Sequence, residues 1–388
     1  MTVHRSPDDR LPTRMLLILA LGTFVVGTDG FVLNGLLLPI AEDLQVSESA
    51  AGQLTTVFAF TYAVASPLLA AATGDWDRRW LFGGGLAVFT LGMAGQAFGP
   101  GYTVVLVSRG VAAIGAAACQ SNAYVVAGAL ATGARRGRAL ATVAAGMSAS
   151  MVLGVPIGVL LGQWLGWRAV LCGIGVAGAL LTLLTPVLPA VRVPPVGLRV
   201  RLSVFARPGV ATVLLVTVLG TLALYAVLVY LPVVAQPSAT GATLSWVLVA
   251  FGAGHFTGNS LAGRWTDRFG PDRVVLASLA GCVTGFAALN LARLSLPGTL
   301  LFAGAIGVAA GMLMVPQQHR LFSAAPDSPT VALGLNGSMI YLGAGAGSAI
   351  GGVVLATAGV GWLPAAGVVL AALGLGLAAA NRRSPVPR

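Results

Sequence analysis

Apolar runs of about twenty residues follow one another almost without interruption along this chain, and that pattern restricts what it can fold into. A bilayer core takes about 20 apolar residues per helix, and soluble domains have no use for such runs in series. Hydrophobic residues make up 57% of the sequence and charged residues 9%, against roughly 25% charged in a soluble domain. Reading the runs between Arg, Pro and Gly punctuation gives about twelve spans, near 15–38, 50–73, 81–99, 103–130, 138–164, 167–189, 209–235, 243–263, 274–292, 298–318, 331–357 and 361–380. They are continuous rather than alternating, so they predict helices and not barrel strands. The first run is too long, and lacks the small-residue cleavage site, for a removable signal peptide.

The charges outside these runs set an orientation. All 22 basic residues are Arg; with the N-terminus inside, nineteen lie in cytoplasmic segments, Arg168 and Arg293 face outward, and Arg109 falls within the membrane. That is the positive-inside pattern. It predicts a multi-pass protein of a bacterial inner membrane with both termini cytoplasmic; all-Arg usage and abundant Ala and Gly fit a GC-rich bacterial genome. The net charge of +11 does not point to nucleic acid, because the arginines are scattered over separate short segments instead of forming one basic face. The partners expected are membrane lipid, protons and a small molecule, with the chain acting as a monomer.

Several chemistries are absent. Cys119, Cys172 and Cys282 lie inside spans without CxxC spacing and read as buried apolar thiols. No GxxxxGK[ST], HExxH, catalytic-triad spacing or metal cluster occurs, so no enzyme, cofactor or metal is expected and ATP is not the energy source. An ion gradient is left.

The chain is doubled. Gly263-Arg264-Trp265-Thr266-Asp267-Arg268-Phe269-Gly270-Pro271-Asp272-Arg273 lies between spans 8 and 9, and moving it back 193 residues reaches Ala70 to Trp80, between spans 2 and 3. There stands Gly74-Asp75-Trp76-Asp77-Arg78-Arg79. The same shift pairs Ser150 with Gly343, Gly154 with Gly347 and Gly158 with Gly351. The expected organisation is two six-helix halves, 1–190 and 209–388, joined by a basic, Pro-bearing cytoplasmic linker over 191–208.

Asp29 and Arg109 alone sit well inside apolar runs. A charge at the bilayer centre costs at least ~2.5–3.5 kcal/mol, so such residues persist mainly at cavities, partners or ion paths. Asp29 falls roughly 21 Å above the inner surface and Arg109 about 9 Å below the outer one, which places both at one level of a ~30 Å core. Burial opposes a carboxylate's charge while a nearby Arg favours it, and an opening cavity changes both effects. Asp29 is therefore read as a proton carrier tuned by Arg109, with a static ion pair between spans 1 and 4 as the alternative. The repeat counterparts, Leu222 and Phe302, cannot titrate, so coupling is expected in the first half alone.

In span 5, Gly146, Ser150, Gly154, Gly158 and Gly162 recur every four residues around Pro156, and span 11 repeats the row at Gly343, Gly347 and Gly351. Such rows admit a neighbouring helix closely, and Pro permits a bend. They serve either as surfaces that slide against the opposite half or as tight, immobile packing. Asp267, with Arg268 and Arg273, is read as a cytoplasmic latch, and Asp75, Asp77 and Arg78 as its weaker first-half copy.

These motifs carry a resemblance. GxxxDRFGxxR at Gly263–Arg273 resembles the loop signature of the major facilitator superfamily, Gly270 being its second glycine. The first copy departs from it, with Gly74 at the usual Asp position, Asp75 one residue late and Asp77 in place of that glycine. Leu106-Val107-Ser108-Arg109-Gly110 with Gly115 resembles the fourth-span motif. Gly154-Val155-Pro156-Ile157-Gly158 resembles the fifth-span motif of proton-coupled exporters, although Val155 splits the usual Gly-Pro pair. Gly166-Trp167-Arg168, and Gly27-Thr28-Asp29 leading to Leu38-Pro39-Ile40-Ala41, are similar to the twelve-span drug:proton antiporters, chloramphenicol-resistance exporters among them.

The resemblance implies an all-α membrane fold of twelve transmembrane helices in two pseudo-symmetric six-helix bundles working by alternating access. In that superfamily spans 1, 4, 7 and 10 line the cavity. This nominates Asn34, Gln120, Asn122, Tyr124, Tyr225, Tyr230, Met312 and Met314 for substrate, each with packing as the alternative. His255 and Asn259, an i, i+4 pair on span 8, are nominated with them, His255 being either a second proton site or a hydrogen-bonded structural His; for Asn336 and Tyr341 in span 11 a structural role is likewise the alternative. The expected function is export of a small hydrophobic or amphiphilic compound, such as chloramphenicol or another drug, in exchange for protons. A proton symporter importing a neutral metabolite or sugar is the first alternative, and a non-transporting membrane sensor or scaffold the second.

Overall fold

The computed structural model describes residues 13–131, 134–193, 197–240 and 242–382. Arg5, Arg10, Arg383 and Arg388 of the arginine tally, and residues 194–196 of the expected linker, lie outside them. The described residues form helices throughout. Span 1 is Thr13–Gly35 continued by Leu37–Asp43, span 2 Glu48–Ala72, span 3 Arg78–Phe98, span 4 Tyr102–Ala129 and span 6 Trp167–Leu184. Span 5 runs as Ala134–Ala149, a π turn Ser150–Gly154, and Val155–Leu165. In the second bundle, span 7 is Pro208–Leu228 with Leu231–Ala235, span 8 Ala242–Phe269, span 9 Pro271–Ala292 and span 10 Leu296–Gly311 with Met314–Ala324. Span 11 is Pro329–Thr357 and span 12 Leu363–Arg382. A short linker helix, Leu198–Phe205, stands between the bundles in sequence. The membrane face that carries it is the linker face below; the other is the distal face.

Local chemistry explains the ends. Ser47 caps span 2 by accepting from the Ala50 N–H at 3.1 Å, and Pro at the first position opens spans 7, 9 and 11, where no N–H is needed. Eleven described helices are long and apolar enough to cross a bilayer. Span 8 is less apolar because it carries His255, Asn259 and a charged end, but its 28 residues reach about 42 Å and pack along span 10. Gly166 and Gly359 hold φ of +80° and +88° at the turns into spans 6 and 12, a conformation that favours glycine. They stand 193 residues apart, so the repeat extends to backbone geometry.

Both glycine rows face into their own bundle. A side chain at Gly146 would meet the Ala20 carbonyl, one at Gly154 the Thr28 side chain and one at Gly158 Val32, all on span 1. Gly343, Gly347 and Gly351 meet Thr221, Leu222 and Ala226 of span 7. This corrects the reading of the rows as surfaces sliding against the opposite half: an apolar helix with a smooth face gains most from the neighbour that lies along its whole length. Pro156 also acts differently from a simple kink. It has no N–H to offer Val152, and the preceding turn widens so that the Val155 N–H reaches the Ser150 carbonyl, five residues back.

The two bundles are closed against each other toward the distal face. Spans 2 and 11 run antiparallel there: Ser49 Oγ donates to the Gly352 carbonyl at 2.8 Å, Ser348 Oγ donates to the Gly52 carbonyl at 3.0 Å, and Gly345 meets the Phe60 ring. Spans 5 and 8 add a bond from Gln163 Nε2 to Ser245 Oγ at 2.7 Å. Closer to the linker face, Gly337 on span 11 has open space before it.

Candidate functional site

Spans 1 and 4 bring Asp29 and Arg109 together. Arg109 Nη1 lies 2.6 Å from both carboxylate oxygens of Asp29, Nη2 reaches the Asp29 carbonyl at 3.4 Å, and neither side chain has any solvent exposure. The depth argument thus located the pair. The guanidinium lies 4.2 Å from the Phe58 ring centroid, and its buried Nε has no hydrogen-bond partner among the described residues. Each charge is fully desolvated and has the other as its main compensation, an arrangement that is costly unless both partners stay.

Two residues beyond Asp29 on span 1, a small cavity opens between the bundles, lined by Phe31, Asn34, Gly35, Met151, Val155, Leu228, Leu248, Phe251 and Gly252. The π turn of span 5 contributes Met151 to this wall. A second, wholly apolar gap, smaller still, lies inside the second bundle and shares Leu228 and Phe251 with the first. Of the nominated substrate contacts, Asn34 lines the inter-bundle cavity, and its Oδ1 accepts from Thr55 Oγ1 at 3.3 Å. Gln120 accepts from the Tyr62 hydroxyl at 3.4 Å and donates to Met147 Sδ at 3.5 Å. Tyr124 and Tyr225 are half-buried.

Other nominees belong to packing. Asn122 Nδ2 donates to the Ala118 carbonyl of its own helix at 2.7 Å. Tyr230 is fully buried at the distal end, donating to the Ser348 carbonyl at 3.0 Å with its ring against Gly52 and Gly351. Met314 packs into the second bundle's core with Leu313 and Leu279, and Met312 is buried where span 10 breaks. His255 and Asn259 are half-buried on span 8, where its backbone meets Gly311, and His255 sits 6.1 Å from the Phe251 ring.

The charged loops differ from expectation in both halves. Asp267, Arg268 and Arg273 are exposed, and Asp267 has no ion pair among the described residues. The paired acid is Asp272, 3.0 Å from Arg320, which continues through Gln317 and Thr217 to buried Asn336 in a polar chain across spans 10, 7 and 11. The sequence reading missed Arg320 and Gln317. Gly263 has open space, and Gly270, at φ +83°, makes the reversal into span 9. In the first half Asp75 is exposed, and Asp77 and Arg78 bind the segment after span 6. Asp77 caps span 3 through the Arg79 N–H and accepts from the Val191 N–H, both at 3.0 Å, while the Arg78 guanidinium donates to the Gly74 carbonyl at 2.7 Å and its N–H to the Val191 carbonyl at 2.8 Å.

Burial pushes the Asp77 carboxyl up, but the Val191 and Arg79 N–H groups and the Arg79 and Arg192 charges outweigh it and hold the group below its ordinary value. A lowered carboxyl contributes stability above its unfolded value, near 3.9, and loses it as the pH falls through the folded one. Asp77→Ala is expected to cost about 0.5–2 kcal/mol at neutral pH, with the difference from wild type vanishing in acid. Thermal unfolding across that range measures it; a difference that persists unchanged at pH 2 removes the cap as the cause.

Known proteins match this helical chain along nearly its whole length. The family profile of the Major Facilitator Superfamily matches residues 19–239 and 213–388, and the chain belongs to that superfamily of transporters. It is 33% identical over 372 residues to a chloramphenicol resistance protein of Streptomyces lividans, covering 92% of this chain and 93% of that one. It is 32% identical over 370 residues to the uncharacterized MFS-type transporter YbcL of Bacillus subtilis (strain 168), covering 92% and 94%. Among solved structures it shares the fold of a D-xylose-proton symporter, with a TM-score of 0.77 at 18% identity over 94% of this chain and 97% of that one.

Proposed function

We propose that this protein is a proton-coupled exporter that exchanges a small hydrophobic or amphiphilic compound, neutral or cationic, for inward-moving protons. The observation that carries the reading is the fully desolvated Asp29–Arg109 pair, two residues along span 1 from the wall of a largely apolar inter-bundle cavity. Desolvation opposes the charge on Asp29 and Arg109 favours it, so moving the bundles changes the balance and lets the acid take a proton on one side and yield it on the other. A lone carboxylate suits a proton better than sodium, which needs several oxygen ligands. The chloramphenicol resistance protein and the fifth-span motif support export and a compound of that chemistry. The arginine distribution supports a bacterial inner-membrane setting with the linker face cytoplasmic; that the protein works as a monomer is part of the proposal. Division into 1–190 and 209–388 with 191–208 as linker belongs to the same reading.

The test uses proteoliposomes loaded with a pH dye, wild type beside Asp29→Asn, and a panel of chloramphenicol and lipophilic cations. Wild type is expected to move protons against one class of compound, and Asp29→Asn to lose the signal. Proton movement in the same direction as the compound would establish symport instead, and full coupling in Asp29→Asn would remove the acid from its role.

A further inference from the structure

The repeat leaves no titratable counterpart to Asp29 or Arg109 in the second half, yet the second bundle does reach the pair. Span 11 carries Tyr341, whose ring stacks on Tyr62 of span 2 with centroids 3.7 Å apart and an interplanar angle of 24°. The same ring packs at 51° against Phe58, centroids 6.3 Å apart, and Phe58 packs on Tyr62 at 6.3 Å. Phe58 is the ring that covers the Arg109 guanidinium, whose Nε has no hydrogen-bond partner among the described residues. The groups that face this cluster are Asp29 from span 1, Tyr62 from span 2, Arg109 from span 4, Tyr225 from span 7 and Tyr341 itself, with Cys119 and Tyr124 of span 4 beyond Tyr62. The contact lies at the linker-facing end of the span 2–span 11 seam: one turn further along span 11, Gly337 meets nothing.

A guanidinium whose hydrogen bonds are incomplete is held by the ring face beside it, and that ring is held in turn by the two it packs against. One of those two comes from the other bundle. The packing behind Phe58 therefore includes a ring that belongs to the opposite bundle.

We propose that Tyr341 is a positioning residue for proton coupling: its ring, delivered by the second bundle, holds Phe58 over Arg109 and keeps water off the Asp29–Arg109 pair until the bundles part. This rests on the reading of Asp29 as the proton carrier and adds to it a physical link between that acid and the opposite bundle. The ring matters and the hydroxyl does not, because the Tyr341 hydroxyl makes no hydrogen bond among the described residues.

The test needs no substrate. A lipophilic carbodiimide adds to a protonated carboxyl and rearranges to a stable N-acylurea, so its rate on Asp29, read by mass spectrometry of the full-length protein in lipid, reports access to the acid. Asp29→Asn supplies the blank. Tyr341→Phe is expected to label within about twofold of wild type, and Tyr341→Ala about tenfold faster, which is the scale of losing an aromatic pair. The pH of half-maximal labelling stays at the wild-type position in Tyr341→Phe and is displaced in Tyr341→Ala. If Tyr341→Ala does not fold, Tyr341→Leu replaces it, keeping bulk without a stacking face. Wild-type rate and pH profile in the folded Ala or Leu variant overturn the proposal, as does acceleration in Tyr341→Phe equal to that in Tyr341→Ala. Faster labelling in Tyr341→Ala alongside proton coupling retained in Asp29→Asn leaves the seal in place and removes the coupling role, so the two failures are distinct.

Discussion

Arg109→Leu is expected to lower stability by about 3–5 kcal/mol, whereas Asp29→Leu/Arg109→Leu regains most of that loss. The asymmetry follows from burial. Both side chains have no exposure, so removing one leaves the other's charge in a dry site with no partner, while removing both leaves apolar side chains where apolar neighbours already surround them. The deficit of Arg109→Leu also shrinks as the pH falls, because protonation sheds the uncompensated charge. Thermal unfolding of the purified variants in lipid, from pH 5 to pH 8, measures both effects. A static strut and a coupling pair then separate on function: the folded double variant transports under the strut reading and loses proton movement under the coupling reading. A double variant as unstable as the single one would mean that the pair is not what the site is built around.

The helices were legible in the sequence because a bilayer rewards long apolar runs and leaves few other places for charge. Spans expected near 15–38 and 103–130 were found as Thr13–Gly35 with its extension and Tyr102–Ala129. Asp29 and Arg109 were legible for a related reason: two isolated charges at one depth in lipid have almost no partner but each other. The cavity nominees were less successful because the superfamily pattern assigns a whole helix to the cavity and not a face of it. Tyr230 and Met314 both lie on nominated spans, but the Met314 side chain turns into its own bundle and the Tyr230 ring fills the distal seam between Gly52 of span 2 and Gly351 of span 11. Asp267 was paired with Arg268 on proximity, although adjacent residues of a helix point about 100° apart, and the acid that does find a partner is Asp272 with Arg320 from span 10. Tyr341 had no sequence signal of its role. An aromatic on an apolar face looks the same whether it meets its own bundle or the other, and its repeat counterpart is Ser148.

Gly154→Leu is expected to slow turnover about tenfold or more while leaving ligand affinity much less changed. Its side chain would run into Thr28 on span 1, the residue before Asp29, on the face of that helix turned toward span 5. The displacement is transmitted to the coupling acid, and misplacing a reacting group by about 1 Å can cost up to 100-fold. The cavity wall is formed instead by Met151 and Val155 on the neighbouring face of span 5, so the ligand does not feel the added bulk directly. Two further glycines calibrate the experiment. Gly146→Ala places a methyl against the Ala20 carbonyl, which as backbone cannot rotate away, and is expected to destabilise by about 1–3 kcal/mol. Gly30→Ala, beside Asp29 but with open space before it, is expected to be neutral or slightly stabilising. The substrate is whichever compound moves protons in wild type, with binding and turnover measured separately. Affinity lost in Gly154→Leu with turnover per bound ligand intact would put Gly154 in the pocket; turnover lost with affinity intact puts it behind the acid, where span 5 sets how far span 1 can move.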